Sequence, residues 1–311
     1  MQFLITGGSG FLAGRIARYF SNKDFKVRSA SRNCHKINDD KDNISSINID
    51  WDDQRSIDNA CKDVEIIIHT AGFNSISSGE APEEAIRFSK HSTSSLLDSA
   101  RKHKVKRIIY LSTAHVYRSP LIGRISESTD LENDHPYALS NLAGETEILN
   151  ALQNNLIDAY ILRISNCFGF PSTASPNAWV LVVNQMCKEA VTNKKITIKD
   201  RNAFRDFLPV NDFLLMLEPF LLLNKSEIPS HIINIGSGIT HSIDQVATVI
   251  ASRCSKVLGF TPDIVYLDKD NGITRKHLTY TSNYKDFLYQ PNEKNFIKEM
   301  DNILTSITSI T

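Results

Sequence analysis

The sequence predicts an α/β fold, a doubly wound parallel sheet followed by a smaller C-terminal α/β lobe. Three observations predict it. The apolar run 3–5 leads through Thr6-Gly7-Gly8-Ser9-Gly10 into an amphipathic run over 15–20, which reads as a strand, a glycine turn and a helix. Short apolar runs then alternate with helical patterns through the first half of the chain, the order that builds a parallel sheet with helices on both faces. Beyond Gly169 this regularity decays into a loop marked by Pro171, Pro176 and nearby Ser and Thr.

Taken in order, the strands are expected at 3–5, 26–30, 44–49, 65–69, 107–111 and 159–163, and the helices at 13–21, 54–61, 82–103 and 137–152. After the loop, 177–192 reads as a helix, 196–198 as a strand and 212–222 as a helix. The segment 231–235 is a further strand, ending at Gly236-Ser237-Gly238, and the tail from Ser242 reads as a small α/β lobe. The expected organisation is a dinucleotide-binding domain over 1–169, to which 205–238 returns, and a substrate-binding lobe from 170–204 and 239–311. No repeat and no low-complexity segment interrupts it.

The glycine turn carries the first chemistry. Gly7 allows the tight turn, and Gly10 lets backbone N–H groups approach a pyrophosphate. Ala13 lets the helix pack closely on the strand, and Phe11 and Leu12 lie at the helix start, whose partial positive charge suits a diphosphate. An NAD site places an acidic residue near the end of the second strand, on the ribose 2′-hydroxyl. Here that stretch is Ser29-Ala30-Ser31-Arg32-Asn33, without an acid. Arg32 suits bidentate pairing with a 2′-phosphate and Ser31 can donate to it, so NADP(H) is preferred over NAD; the alternative is that Arg32 is a solvated loop charge. Asp50 ends the third strand and can bind an adenine amino group, with Trp51 either beside the ring or serving only as an anchor.

Composition bounds the rest. The chain has 311 residues, 41% of them hydrophobic, enough for a large core. Lys plus Arg and Asp plus Glu each total 35, so no basic excess points to nucleic acid. The five cysteines, at 34, 61, 167, 187 and 254, form no C-x-x-C and fit reduced thiols in a cytoplasmic protein, with no metal site; Cys167 and Cys187 read as small core residues. With the first strand at the N-terminus, no signal peptide is expected. No apolar run is long enough to span a bilayer, since 214–223 is interrupted by Glu218 and Pro219.

Further motifs follow the glycine turn in a fixed order: His69-Thr70-Ala71-Gly72, Leu111-Ser112-Thr113-Ala114-His115-Val116-Tyr117, His135-Pro136-Tyr137-Ala138-Leu139-Ser140-Asn141, Leu162-Arg163-Ile164-Ser165-Asn166, Arg205-Asp206-Phe207 and Asn234-Ile235-Gly236-Ser237-Gly238. With them the chain resembles the extended short-chain dehydrogenase/reductases, and within these the nucleotide-sugar epimerase/dehydratase branch, over nearly its whole length. The resemblance implies a Rossmann-type fold and an enzyme of surface-glycan or deoxysugar synthesis. It also implies a nucleotide-diphosphate sugar as substrate, and a homodimer paired through the helices 82–103 and 137–152. The polar stretch 92–95 is unusual for such a packed face. By motif match Tyr137 is the acid/base at a sugar hydroxyl or carbonyl, Thr113 hydrogen-bonds the same oxygen, and Ala71 lies against the cofactor. Asn166 and Arg205 meet the substrate diphosphate, Arg275 loosely matches a second such Arg, and Asp206 holds its loop. The segment 175–179 lies over the sugar or base, with Trp179 stacking or packing. His69 and His135 are structural.

The sequence departs from the family at one decisive place. The family carries a Lys four residues after the Tyr, on the same helix face; here it is Asn141, which hydrogen-bonds but brings no charge to lower the pKa of Tyr137. Three readings follow: a weaker base aided by an oxidised nicotinamide, proton transfer by His115, or binding of cofactor and sugar nucleotide without turnover. His115 is equally readable as a packed residue. Arg118 stands where the family has Gly, which alters the following loop. The family's 4,6-dehydratases follow the catalytic Thr with acidic residues; Ala114 and His115 stand there, against a standard dehydratase. An NADP preference suits a 4-keto-sugar reductase, whereas a 4-epimerase keeps its NAD. The sequence-based expectation is an NADP(H)-linked nucleotide-sugar reductase or epimerase, with a quiet dinucleotide-binding sensor as the alternative.

Overall fold

The computed structural model describes residues 1–33, 43–172, 176–267 and 277–308. The first half runs β1 (Gln2–Thr6), α1 (Phe11–Asn22), β2 (Lys26–Ser31), β3 (Ile44–Asn48), α2 (Gln54–Cys61), β4 (Ile66–His69), α3 (Ser75–Glu80), α4 (Pro82–Lys102), β5 (Arg107–Thr113), β6 (Gly123–Ile125), α5 (Pro136–Gln153) and β7 (Asp158–Ile164). The second half runs β8 (Asn166–Phe168), α6 (Val182–Asn193), β9 (Lys195–Ile198), β10 (Phe204–Pro209), α7 (Val210–Leu222), β11 (Ile232–Ile235), β12 (Thr240–Ser242), α8 (Ile243–Leu258), β13 (Asp263–Tyr266), β14 (Leu278–Tyr280) and α9 (Glu293–Thr308).

Seven strands form one parallel sheet in the order β3-β2-β1-β4-β5-β7-β11. The order reverses between β1 and β4, and this is where a doubly wound sheet opens a crevice beyond its strand ends. Successive side chains of a strand face opposite ways. On β1, Phe3 and Ile5 join Ile16 and Phe20 of α1 and Phe213 and Phe220 of α7 in one core. Leu4 joins Ile67, Leu96, Ile108, Ile148 and Ile161 in the other. Both faces of the sheet are covered, as the apolar content of β4 requires. The architecture is the Rossmann-type α/β fold.

Three smaller sheets flank the large one: β8-β10-β12, β9-β13 and β6-β14. A separate core gathers Met186 and Cys187 of α6, Ile196 and Ile198 of β9, Ile250 of α8, and Met300 and Ile303 of α9. Cys61, Cys167, Cys187 and Cys254 are buried free thiols, while Cys34 lies outside the described residues. Among the described residues no helix is long and apolar enough to cross a membrane.

Two expectations change in detail. The helix read over 177–192 is split: a 3-10 turn, Pro176–Val180, precedes α6, with Leu181 extended between them. Buried Asn184 holds this break, donating to the carbonyl oxygens of Gly169 and Ala178 and accepting from the Gly169 N–H. The polar stretch of α4 faces inward: Ser92 and Thr93 are fully buried and Ser95 nearly so. Their short side chains let α4 lie close to its neighbours, and Thr93 Oγ1 shares a 3.3 Å hydrogen bond with His69 Nε2.

Candidate active site

The site forms at the carboxyl ends of β1, β4 and β5. Gly7 adopts φ +69°, and a Cβ there would stand 2.7 Å from Thr70 Oγ1 and 3.0 Å from the Ala71 nitrogen. Only glycine fits this turn, which brings the loop after β4 against the loop after β1. The Gly10 N–H closes the turn on the Gly7 oxygen at 2.7 Å, and Gly10 caps α1 without a side chain. The first-turn N–H groups of any helix lack intrahelical acceptors, so those from Phe11 to Ala13 line a backbone cradle suited to a diphosphate. Ala13 is buried against the sheet, and Phe11 and Leu12 pack partly on the core. The donor set and the glycine-only approach fit a dinucleotide.

His69 is buried; its Nδ1 and Thr6 Oγ1 share a 2.7 Å hydrogen bond, and burial pushes its pKa down to about 3. It is a neutral bracket between β1, β4 and α4. Ser31 is buried at the end of β2, and the exposed Arg32 places its guanidinium 5.9 Å from the Phe88 ring centroid. Asp50 is exposed, accepting from the Asp52 N–H. Trp51 is buried, its ring edge-on to His69 and Phe88.

Thr113 ends β5, and its Oγ1 accepts from the His115 N–H at 3.2 Å, capping a short 3-10 turn. Tyr137 stands in the first turn of α5, which begins with Pro136 and is capped by His135, whose Nδ1 accepts from the Tyr137 N–H. Burial raises the Tyr137 pKa, opposed by side-chain hydrogen bonds with Thr113 and Asn141. Asn141, one turn on, donates its amide N–H to the Tyr137 carbonyl oxygen at 2.8 Å. Among the described residues, then, the side chains that favour the phenolate are neutral.

His115 lies with its ring 6.4 Å from the Tyr137 ring. Burial and then the nearby Arg205 lower its pKa to about 4, against a hydrogen bond with Asn166, so the imidazole is neutral at neutral pH. The geometry thus brings together Thr113, His115, Tyr137, Asn141, Asn166 and Arg205. Asn166 donates its amide N–H to the Asp206 carbonyl oxygen at 3.1 Å, linking β8 to β10. Asp206 is buried and accepts from Ser165 Oγ, from the Ser237 N–H and Oγ–H, and from the Gly238 N–H. Burial pushes its pKa up to about 6 against those donors. Asp206 therefore clamps the loop after β11 to the strand that carries Arg205.

Arg275 and Ser175 lie outside the described residues. Trp179 packs edge-on against Phe170 under Lys188. Arg118 pairs with Glu132 at 3.8 Å, and its loop, with Asn133 and His135, borders a cavity of about 680 Å³ at the start of α5. Among the described residues no cluster of His, Cys, Asp or Glu is placed to hold a metal ion. Sequence reasoning missed Tyr110, whose hydroxyl donates to the Asn141 carbonyl oxygen at 3.3 Å. It fills the notch at Gly144, and a glycine seven residues after Tyr137 inside a helix was the available signal.

Known proteins resemble this chain in sequence and in fold. A Methanocaldococcus jannaschii protein, provisionally named a UDP-glucose 4-epimerase, is 28% identical, with 85% of each chain covered. The dTDP-D-glucose 4,6-dehydratase of Dictyostelium discoideum is 26% identical over 80% of this chain and 61% of its own. The crystal structure of a Bacillus cereus UDP-glucuronic acid 4-epimerase in complex with UDP-glucuronic acid and NAD superposes over all of both chains with a TM-score of 0.80 at 19% identity, a likeness of fold. The model of the NAD dependent epimerase/dehydratase family matches residues 3–236, from β1 to the turn after β11, and the chain belongs to that family.

Proposed function

We propose that this chain is a nucleotide-sugar 4-epimerase working with a bound nicotinamide dinucleotide, NAD in preference to NADP. The observation that carries the reading is Tyr137 standing beside Thr113 and His115, next to a glycine-only turn that fits a diphosphate. Tyr137 takes the proton of a sugar hydroxyl, and Thr113 hydrogen-bonds the same oxygen and keeps it in line. The nicotinamide supplies hydride acceptance and return at the adjoining carbon. Asn166 and Arg205 hold the substrate diphosphate, the planar guanidinium matching phosphate oxygens in a fork. Neutral His115 borders the sugar next to Tyr137 and accepts a hydrogen bond there. Dehydration needs an acid to protonate a leaving hydroxyl, and buried Ala114 with neutral His115 supplies none.

NAD is supported by the family's own description and by the Bacillus cereus neighbour, which holds NAD with a UDP-sugar. NADP, used by a 4-keto-sugar reductase, is the second reading, supported by Arg32 and the absence of an acid at the end of β2.

The test is incubation with NAD, NADP or NADPH and, separately, UDP-glucose, UDP-N-acetylglucosamine, UDP-glucuronic acid, dTDP-glucose and a dTDP-4-keto-sugar, followed by proton NMR and nicotinamide absorbance. The expected result is a C4 epimer from a UDP-sugar with NAD and no net reduction of the cofactor. A 6-deoxy-4-keto product, net consumption of NADPH with a 4-keto-sugar, or tight cofactor binding without any conversion would overturn it, the last in favour of a quiet binding protein.

A further inference from the structure

A buried polar chain joins the two ends of the site. Tyr137, Asn141 and Glu145 follow at four-residue spacing on one face of α5. Glu145 Oε1 accepts from Ser112 Oγ at 2.5 Å and from Arg163 Nε at 3.1 Å, and Oε2 accepts from Arg163 Nη2 at 2.6 Å. Ser112 directly precedes Thr113 in β5. From Arg163 the chain continues: Nη1 donates to the Tyr117 hydroxyl at 3.1 Å, and that hydroxyl donates to Asn234 Oδ1 at 2.7 Å. Asn234 belongs to β11, which runs into the loop clamped by Asp206. The Tyr280 hydroxyl donates to the Arg163 carbonyl oxygen at 2.7 Å. Its ring occupies the space at Gly236, where a Cβ would stand 2.5 Å from Tyr280 Cδ1 and 3.1 Å from Asp206 Oδ1.

Glu145, Arg163, Tyr117 and Asn234 are each no more than 4% exposed. Burying an ion pair costs desolvation, and a well-packed apolar set of similar volume serves stability as well or better. What the polar chain supplies is fixed geometry: it ties the helix of Tyr137, the strand of Thr113 and the loop behind Arg205 into one unit. We propose that Glu145, Arg163 and Tyr117 are positioning residues that hold the Thr113–Tyr137 pair in register with the Arg205–Asp206 end of the site. The proposal rests on Tyr137 as the proton carrier.

The test uses Tyr117→Phe, which keeps the ring and removes the oxygen between Arg163 and Asn234. Ser112→Ala, which removes the hydrogen bond from β5 to Glu145 of α5, carries the same test if Tyr117→Phe does not fold. Glu145→Gln is avoided because it leaves Arg163 an uncompensated buried charge. Melting temperature checks the fold, and calorimetry with UDP checks the diphosphate end. The Tyr137 titration is read from the ultraviolet phenolate absorbance of each protein minus that of its Tyr137→Phe counterpart. The expected result is a folded protein with UDP affinity retained, kcat lowered about tenfold to hundredfold at similar KM, and Tyr137 titrating at higher pH as Thr113 drifts from it. An unchanged kcat with an unchanged titration, or a change in KM alone, would overturn the positioning role. If the parent protein turns over no sugar nucleotide, the proposed activity fails, and the titration alone decides this inference.

Discussion

At the scale of the residue, the proposed chemistry turns on Asn141. A Tyr phenol ionises near pH 10 in water, and burial lifts Tyr137 further. The two side chains that oppose this, Thr113 and Asn141, are uncharged. The fraction of phenolate, and with it the rate of proton abstraction, therefore grows as pH rises, and turnover should climb well into the alkaline range. Asn141→Lys places an ammonium one turn from the phenol and lowers its pKa, at about 1.4 kcal/mol per unit. The kcat–pH profile of this variant should move to lower pH, with kcat at pH 7 gaining about tenfold for each unit of displacement. A superimposable profile would show that the phenol does not carry the proton. The nearness of Tyr137, Thr113 and Asn141 was legible in the sequence because the family resemblance marks these positions and they fall at a strand end and on one helix turn. The donors around Asp206 were not, because Ser165, Ser237 and Gly238 reach it from separate segments.

At the scale of the element, α5 is set against β5 by a single missing Cβ. One built on Gly144 would lie 2.2 Å from the Tyr110 hydroxyl and 2.5 Å from its ring carbon Cζ. Helix propensity alone favours Ala over Gly by about 0.5–1 kcal/mol. The contact reverses the sign: Gly144→Ala should cost about 1–3 kcal/mol of stability through overpacking and push Tyr137 off Thr113. Urea denaturation decides between the two, and a stabilised Ala variant would show that α5 and β5 have slack. The long helix α4 was readable from its periodicity, and α5 from the His135-Pro136 start and the glycine- and proline-free run before Gly144. The break before α6 was not, because the buried amide of Asn184 makes it and no proline or glycine marks Leu181.

At the scale of the molecule, the parallel sheet reverses its strand order between β1 and β4, and this gathers the glycine turn, Ala71 and Thr113 at one edge. The alternation of strands and helices made that architecture legible from the sequence. The three small sheets were less so: β6 pairs with β14, and β9 with β13, through strands of only three or four residues far apart in the chain. One of them matters to the account because β8 and β10 carry Asn166 and Arg205 to the side of His115.

The central claim is that Tyr137 moves a sugar proton while hydride passes to a bound nicotinamide. Its most direct measurement is the near-ultraviolet absorbance of reduced nicotinamide when NAD-loaded protein is mixed with UDP-glucose, UDP-N-acetylglucosamine or UDP-glucuronic acid, for the natural chain and for Tyr137→Phe with NAD binding verified in both. The account predicts a transient rise in the natural chain with at least one of the three, and its loss, or slowing by about a hundredfold or more, in the variant. An equal rise in both proteins, or none in either, would contradict it.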